Sequence, residues 1–209
     1  MIFSTYEVCN RLDSIINYYN NNAENYVNET KDVALSDIQN RFLSFLPQGG
    51  FILDFGCGSG RDTKYFISKG YNVDAIDGSE KLCEIASKNT GIKVRQMLFS
   101  ELDIESKYDG IWACASILHL EKDELRIVLE KMIKAVKPGG YIYASFKYGN
   151  YEGYRNDRYF TDFTKESFRK FIKDVSGIKL VEEWISKDVR PNRGDEKWLN
   201  LILQRMDTI

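Results

Sequence analysis

The stretch Ile52-Leu-Asp-Phe-Gly-Cys-Gly-Ser-Gly-Arg-Asp-Thr63 carries the clearest chemistry in the chain. Apolar residues flank Asp54, glycines fall at Gly56, Gly58 and Gly60, and a helix-compatible segment follows. That order reads as a buried strand, a turn with little side-chain bulk and a helix N-terminus. Such a turn brings backbone N–H groups and the positive end of a helix close to a nucleotide-like ligand; it also serves as a plain tight turn. Spacing narrows the ligand. A dinucleotide fingerprint places glycine or alanine three positions after its second glycine, where this chain has Arg61. A phosphate-cradling P-loop needs Gly-Lys-Ser/Thr, which is absent. What remains is Asp-x-Gly-x-Gly-x-Gly.

Tyr71-Asn-Val-Asp-Ala-Ile-Asp77 alternates as a second strand would and ends in an acid before a helix cap. An acidic side chain there accepts both hydroxyls of a ribose, and Asp77 lies about 20 residues past the glycine turn, as one strand–helix–strand unit requires. Its competing role is a helix-start charge, with Ser79 as the cap. Further along, His119 is the only imidazole in the protein. It follows the strand end Cys114-Ala-Ser116 and reads either as a proton acceptor or as a packing residue. Cys114 reads as a small strand-end residue, because nothing nearby lowers its thiol pKa. Tyr148 opens an aromatic segment, 148–163, without clear period, which suggests a lid or substrate wall. Lys147, Arg155, Arg158, Arg190 and Arg193 converge over the same edge if these segments share it, and two or three of them would make an anion site. Tyr19 and Tyr26, seven apart on one helix face, are placed to close over a ligand or to pack in the core.

The elements that must position these groups alternate. Strands are expected at 51–55, 71–76, 92–97, 109–114 and 140–147, with helices at 60–69, 79–89 and 122–137 between them. Lys137-Pro-Gly-Gly140 stops the last of these helices. Alternation of this kind predicts a mostly parallel sheet covered on both faces. The N-terminal part predicts helices over 5–28, interrupted by asparagines, and over 33–46. After a helix at 164–175, strands at 178–185 and 198–205 are separated by a connection too short for a crossover helix. They should pair antiparallel, with their loop on the ligand-binding edge.

Leu53-Asp-Phe-Gly-Cys-Gly-Ser-Gly-Arg-Asp62, Gly110-Ile-Trp-Ala-Cys-Ala-Ser-Ile-Leu-His119 and Tyr143-Ala-Ser-Phe-Lys-Tyr-Gly149 together resemble class I S-adenosylmethionine-dependent methyltransferases. The nearest resemblance is to small bacterial ones of the tellurite-resistance type. The resemblance implies a Rossmann-like α/β fold with seven strands, the last antiparallel, in a single domain over 1–209: a helical cap at 1–46 and a core at 50–205. It implies S-adenosyl-L-methionine as cofactor, with Gly56, Gly58 and Gly60 admitting its methionyl and ribose part and Asp77 on the ribose hydroxyls. Met97 and Leu98 would contact adenine; Asp54 would orient the turn or the amino group; Tyr19, Tyr26, Arg61 and Cys114 would complete the cofactor site. Many class I enzymes carry an Asp near the third strand end for the adenine amino group, whereas this chain reads Gln96-Met-Leu-Phe-Ser-Glu101. His119 and Tyr148 are the candidates for proton handling, and Lys147, Arg158 and Arg190 for an anionic acceptor.

The remaining features set bounds. A net charge of −2 gives no electrostatic reason for a nucleic-acid partner, and the strand-four segment lacks the Asn/Asp-Pro-Pro-Tyr and Pro-Cys sequences used on bases. Both facts direct the expectation to a small-molecule acceptor. Four dispersed cysteines and one histidine argue against a zinc site and for a reducing, cytoplasmic setting. No run reaches membrane-spanning length and no secretory leader is legible at the N-terminus. The rival readings are a nucleotide-binding regulatory module without turnover and, opposed by Arg61, a nicotinamide-dependent oxidoreductase. The sequence carries no signal for oligomeric state.

Overall fold

A computed structural model describes residues 5–190 and 193–206, with side chains from Arg11 onward. The expectations for the extreme N-terminus, for Pro191 and Asn192 in the last loop and for 207–209 therefore lie outside the described residues.

Strand β1 (Phe51–Phe55) runs between β2 (Asn72–Asp77) and β4 (Tyr108–Ala113), parallel to both. The short β3 (Arg95–Gln96) extends the sheet beyond β2, and β5 (Val136–Lys147) lies beside β4. Two long C-terminal strands, β8 (Ile178–Lys187) and β9 (Lys197–Arg205), complete a seven-stranded sheet of order β3-β2-β1-β4-β5-β9-β8. Strand β9 is antiparallel to both of its neighbours, so β8 runs with the parallel set. The loop after β8 consequently sits on the same sheet edge as the glycine turn after β1.

Alternation along the strands builds the two faces. Leu53, Ile111, Ile142 and Leu201 point into one cluster with Leu125, Leu129 and Met132 of α6 (Lys122–Ala135) and Phe168 and Phe171 of α7 (Lys165–Ile172). Ile52, Trp112, Tyr143 and Ile202 point to the other side. There Phe42 of α3 (Ser36–Leu43) and Phe66 of α4 (Arg61–Ser68) cover them, and Trp112 stacks on Tyr143 at 3.9 Å. Helix α5 (Glu80–Thr90) begins at a Ser79 cap whose hydroxyl oxygen accepts the Leu82 N–H at 3.2 Å.

The N-terminal region forms two helices, α1 (Thr5–Asn21) and α2 (Ala23–Thr30), interrupted within the asparagine run as expected. The break falls at Asn22, whose side-chain amide bonds back to the Tyr18 carbonyl at 2.8 Å, the local competition that makes asparagine a poor helix-interior residue. One expectation needs correction: the aromatic segment after β5, read as lacking a period, contains a β-hairpin, β6 (Glu152–Arg155) and β7 (Arg158–Thr161). Its turn uses Asn156 and Asp157 at φ 47° and 62°, a left-handed pair that these two residue types tolerate. Helices α3, α4 and α7 and strand β3 are shorter than expected, whereas α6 gives way at Ala135 to a β5 that starts at Val136 and is longer than the expected 140–147.

Candidate functional site

Asp77 ends β2 with its carboxylate held by the backbone. Gly58 N–H donates to Oδ2 and Ser79 N–H to Oδ1, both at 2.9 Å. Burial raises its pKa, while these N–H bonds work against that rise. A carboxylate has about four acceptor positions, so lone pairs remain for a ligand. They face a cavity of about 280 Å³, which Gly56, Gly58, Met97 and Leu98 also line. Its outer wall is apolar, with Leu12 and Ile16 from α1 and Ile127 from α6.

The glycines hold distinct posts. At Gly58 a Cβ would lie 2.9 Å from the Tyr26 ring, so this turn lets the α2 tyrosine close directly on the backbone. Gly60 lines neither cavity. It caps α4 at φ 78°, and a Cβ there would meet Thr90 Cγ2 at 2.7 Å, so its contribution is close packing of α4 on α5. Asp54 also lies beneath the site. Thr63 Oγ1 donates to Asp54 Oδ2 at 2.6 Å, and burial and then nearby Asp62 raise the Asp54 pKa. It braces the start of α4 under the turn.

A second cavity, about 130 Å³, is lined by Arg61, Cys114, Lys147, Arg158 and Arg190. Tyr19, Tyr26, Ala115 and His119 border both cavities and form the wall between them. Most of the residues singled out in the sequence thus meet around one divided space. Tyr148 does not. Its backbone bridges to Phe163 and its side chain packs against the main core cluster, so no geometry supports a proton-handling role for it.

The charges in the second cavity are mostly answered. Arg61 grips Asp62 with two bonds, at 2.7 and 2.8 Å, and Asp62 also accepts Gln39 and Trp112 N–H groups. Burial opposes ionisation of Asp62, but Arg61 and these donors outweigh it and hold its pKa below the usual value. Arg190 is bidentate on Asp188, which also accepts the Trp198 indole at 3.1 Å. Burial resists ionisation there as well, yet these bonds bring Asp188 down to about 2. Lys147 pairs with Glu196, and Arg155 turns to Asp162. Cys114 is pushed up to about 12 by burial, which leaves its thiol protonated and unreactive.

His119 sits in a 3-10 turn after β4 and is 6% exposed. Its Nδ1 lies 2.7 Å from the Tyr159 carbonyl, which can only accept, so Nδ1 carries the hydrogen. Its Nε2, 2.9 Å from Tyr19 Oη, is then the acceptor from the tyrosine hydroxyl. Burial, aided by the Arg158 charge, pulls the imidazole down to about 4. Arg158 in turn donates to Tyr19 Oη at 3.3 Å.

Several site residues carry no legible sequence signal. Asn20 accepts the Ser79 hydroxyl at 2.6 Å and pins α1 over the Asp77 rim, yet it is one of a run of asparagines. Ala115 adopts φ 51°, a conformation costly for a residue with a Cβ and common at functional sites. Ser145 holds it by accepting the Ala115 N–H at 2.8 Å. Glu101, the acid nearest the third strand end, accepts the Leu98 N–H at 2.7 Å.

This strand order, with a glycine turn after β1 and an acid at the end of β2, is the Rossmann-like arrangement of the class I methyltransferase fold. Residues 52–140 match the family model described as a methyltransferase domain. Over 110 residues it is 37% identical to the ubiquinone biosynthesis O-methyltransferase of Hydrogenovibrio crunogenus, a match covering 49% of this chain and 45% of that protein. Its fold matches Burkholderia thailandensis 1,6-didemethyltoxoflavin-N1-methyltransferase with TM-score 0.78 at 21% identity, over 99% of this chain and 92% of the other. A TehB-like S-adenosylmethionine-dependent methyltransferase from Corynebacterium glutamicum matches with TM-score 0.69 at 21% identity, over 88% and 98%. The chain spans only 32% and 45% of the lengths of two of the curated relatives it matches. No helix among the described residues is long and apolar enough to cross a membrane. No group of three or more His, Cys, Asp or Glu among them is placed to hold a metal.

Proposed function

We propose that this chain transfers a methyl group from S-adenosyl-L-methionine to a small-molecule acceptor, with an anionic acceptor suited to the basic lining. The observation that carries the reading is the Asp77 carboxylate, braced by Gly58 and Ser79 and still offering lone pairs to the larger cavity. The residues fit the cofactor: Asp77 would take the ribose hydroxyls, Met97 and Leu98 the adenine, and the Gly56–Gly58 backbone the narrow approach. Arg61 borders the smaller cavity but is closed onto Asp62, and the methionyl end would reach toward it no further than the Tyr19–Tyr26 wall. When bound, the cofactor supplies a methyl on a sulfonium, a leaving group already activated.

The chain's own task is then alignment and exclusion of water. Tyr19 and Tyr26 meet edge to face at 5.4 Å and line both cavities, so they set the passage through which an acceptor approaches. His119 stays neutral and holds the Tyr19 hydroxyl in place; its low basicity assigns it to positioning rather than to accepting the substrate proton. The reading extends to a single domain over 1–209, working in the cytoplasm without a nucleic-acid partner.

A screen of metabolite extracts with methyl-labelled cofactor tests it. A labelled small molecule formed by the wild-type chain, and lost with Asp77→Ala, is the expected result. Cofactor binding without any labelled product would favour a regulatory module.

A further inference from the structure

Six cationic side chains border the smaller cavity, and their surroundings separate them. Arg61, Lys147 and Arg190 are closed onto Asp62, Glu196 and Asp188. Arg193 lies 3.9 Å from Glu29 and 4.0 Å from Glu196, and Lys187 is exposed to water at the end of β8. Arg158 differs from all of them. No carboxylate among the described residues lies within 4.0 Å of it. Its buried Nε has no hydrogen-bond partner. The guanidinium lies over the Tyr18 ring at 4.3 Å and spends one N–H on Tyr19 Oη. Of five donors, the rest are left for the cavity. A half-buried cation without a counter-charge is costly, and an orphaned buried donor calls for an explanation.

We infer that Arg158 is the docking point for a carboxylate on the methyl acceptor, so that the substrate is a small monoanionic acid. The inference rests on the methyltransferase reading and specifies its acceptor. The planar fork of Arg158 matches a carboxylate bidentately. One half-buried uncompensated cation balances one negative charge; Lys147 and Arg190 are committed to Glu196 and Asp188, and Lys187 lies exposed, where water and salt screen it from serving as a second. The nucleophilic atom is a separate group on that acid. Arg158 hydrogen-bonds Tyr19, and Tyr19 also borders the larger cavity, so a carboxylate on Arg158 places its neighbouring atoms at the shared wall.

The sole imidazole reports on the site, being one hydrogen bond from Tyr19. The full chain saturated with S-adenosylhomocysteine would be titrated with acetate, acetamide and methylphosphonate at constant ionic strength, following the His119 NMR signals. Acetate should shift them saturably, and neutral acetamide should not. Arg158→Gln should weaken the acetate response by about 10- to 100-fold, with Arg158→Lys in between. Lys187→Gln should leave it within about threefold, as expected for an exposed charge. Acetamide matching acetate in the wild-type chain, methylphosphonate binding more tightly than acetate, or an undiminished response in a folded Arg158→Gln chain would each overturn the inference. Failure of S-adenosylhomocysteine to bind would instead strike the methyltransferase reading beneath it.

Discussion

The Asp77 carboxylate has a backbone N–H on each oxygen, and the geometry leaves it little freedom except toward the cavity. Asp77→Ala removes an acceptor for two hydroxyls and frees the Gly58 amide, so it should weaken S-adenosylhomocysteine binding by about 1.5–3 kcal/mol. Calorimetry checks this, and unchanged affinity would remove Asp77 from the site. His119 makes a prediction of opposite sense to that of a histidine base. Its folded pKa, about 4, lies below the ordinary 6.5. The unfolded chain therefore takes up a proton as pH falls through 6.5, while the folded chain does so only near 4. The stability contribution is complete above 6.5 and is lost progressively between 6.5 and 4, of order 3 kcal/mol in all. NMR titration of the single imidazole should show no inflection between pH 8 and 5.5; a midpoint near 6.5 would reject the buried Tyr19–His119 arrangement. At this scale the sequence was informative where spacing constrains backbone, as at Gly58 and Asp77. It was silent on which carboxylates would neutralise Lys147 and Arg190, since Glu196 reaches Lys147 only by the return of the β8–β9 connection, and the local turn that closes Asp188 on Arg190 has no sequence signature.

Elements were legible where a burial period ran long enough. The strands from β1 to β5 announce themselves through apolar runs between glycine or cap signals, and the β8–β9 pairing follows from a connection too short for a helix. The β6–β7 hairpin was not legible, because its strands are four residues each and its turn is Asn-Asp rather than a glycine pair. That turn carries a prediction. Asp157 sits at φ 62°, where a β-branched residue is strained by about 1–2 kcal/mol. Asp157→Val should lower the thermal midpoint and loosen Arg158 on the next residue, whereas Asp157→Gly should not lower it. Equal midpoints for the two variants would show that the turn is not held in the left-handed region. The α1 cap was half legible. Helical spacing brought Tyr19 and Tyr26 to attention, but the buried Arg11, which grips Glu121 and Glu124 across more than a hundred residues of chain, gave no local sign of the docking it provides.

Over the whole molecule, one topological fact gathers the site. The turns after β1, β2 and β4, the hairpin after β5 and the loop after β8 all leave the same edge of the sheet, because β8 runs with the parallel set and β9 returns between β5 and β8. Residues as distant in sequence as Tyr19, His119, Arg158 and Arg190 thereby line one divided space. In the proposed function the larger half of that space holds the adenosyl part of S-adenosylmethionine. Calorimetry on the purified, ligand-free chain tests it most directly, with S-adenosylhomocysteine and a nicotinamide dinucleotide compared side by side. Saturable heat with S-adenosylhomocysteine and none with the dinucleotide is the predicted result. No heat with S-adenosylhomocysteine from a chain that still unfolds cooperatively, or tighter binding of the dinucleotide, would contradict it.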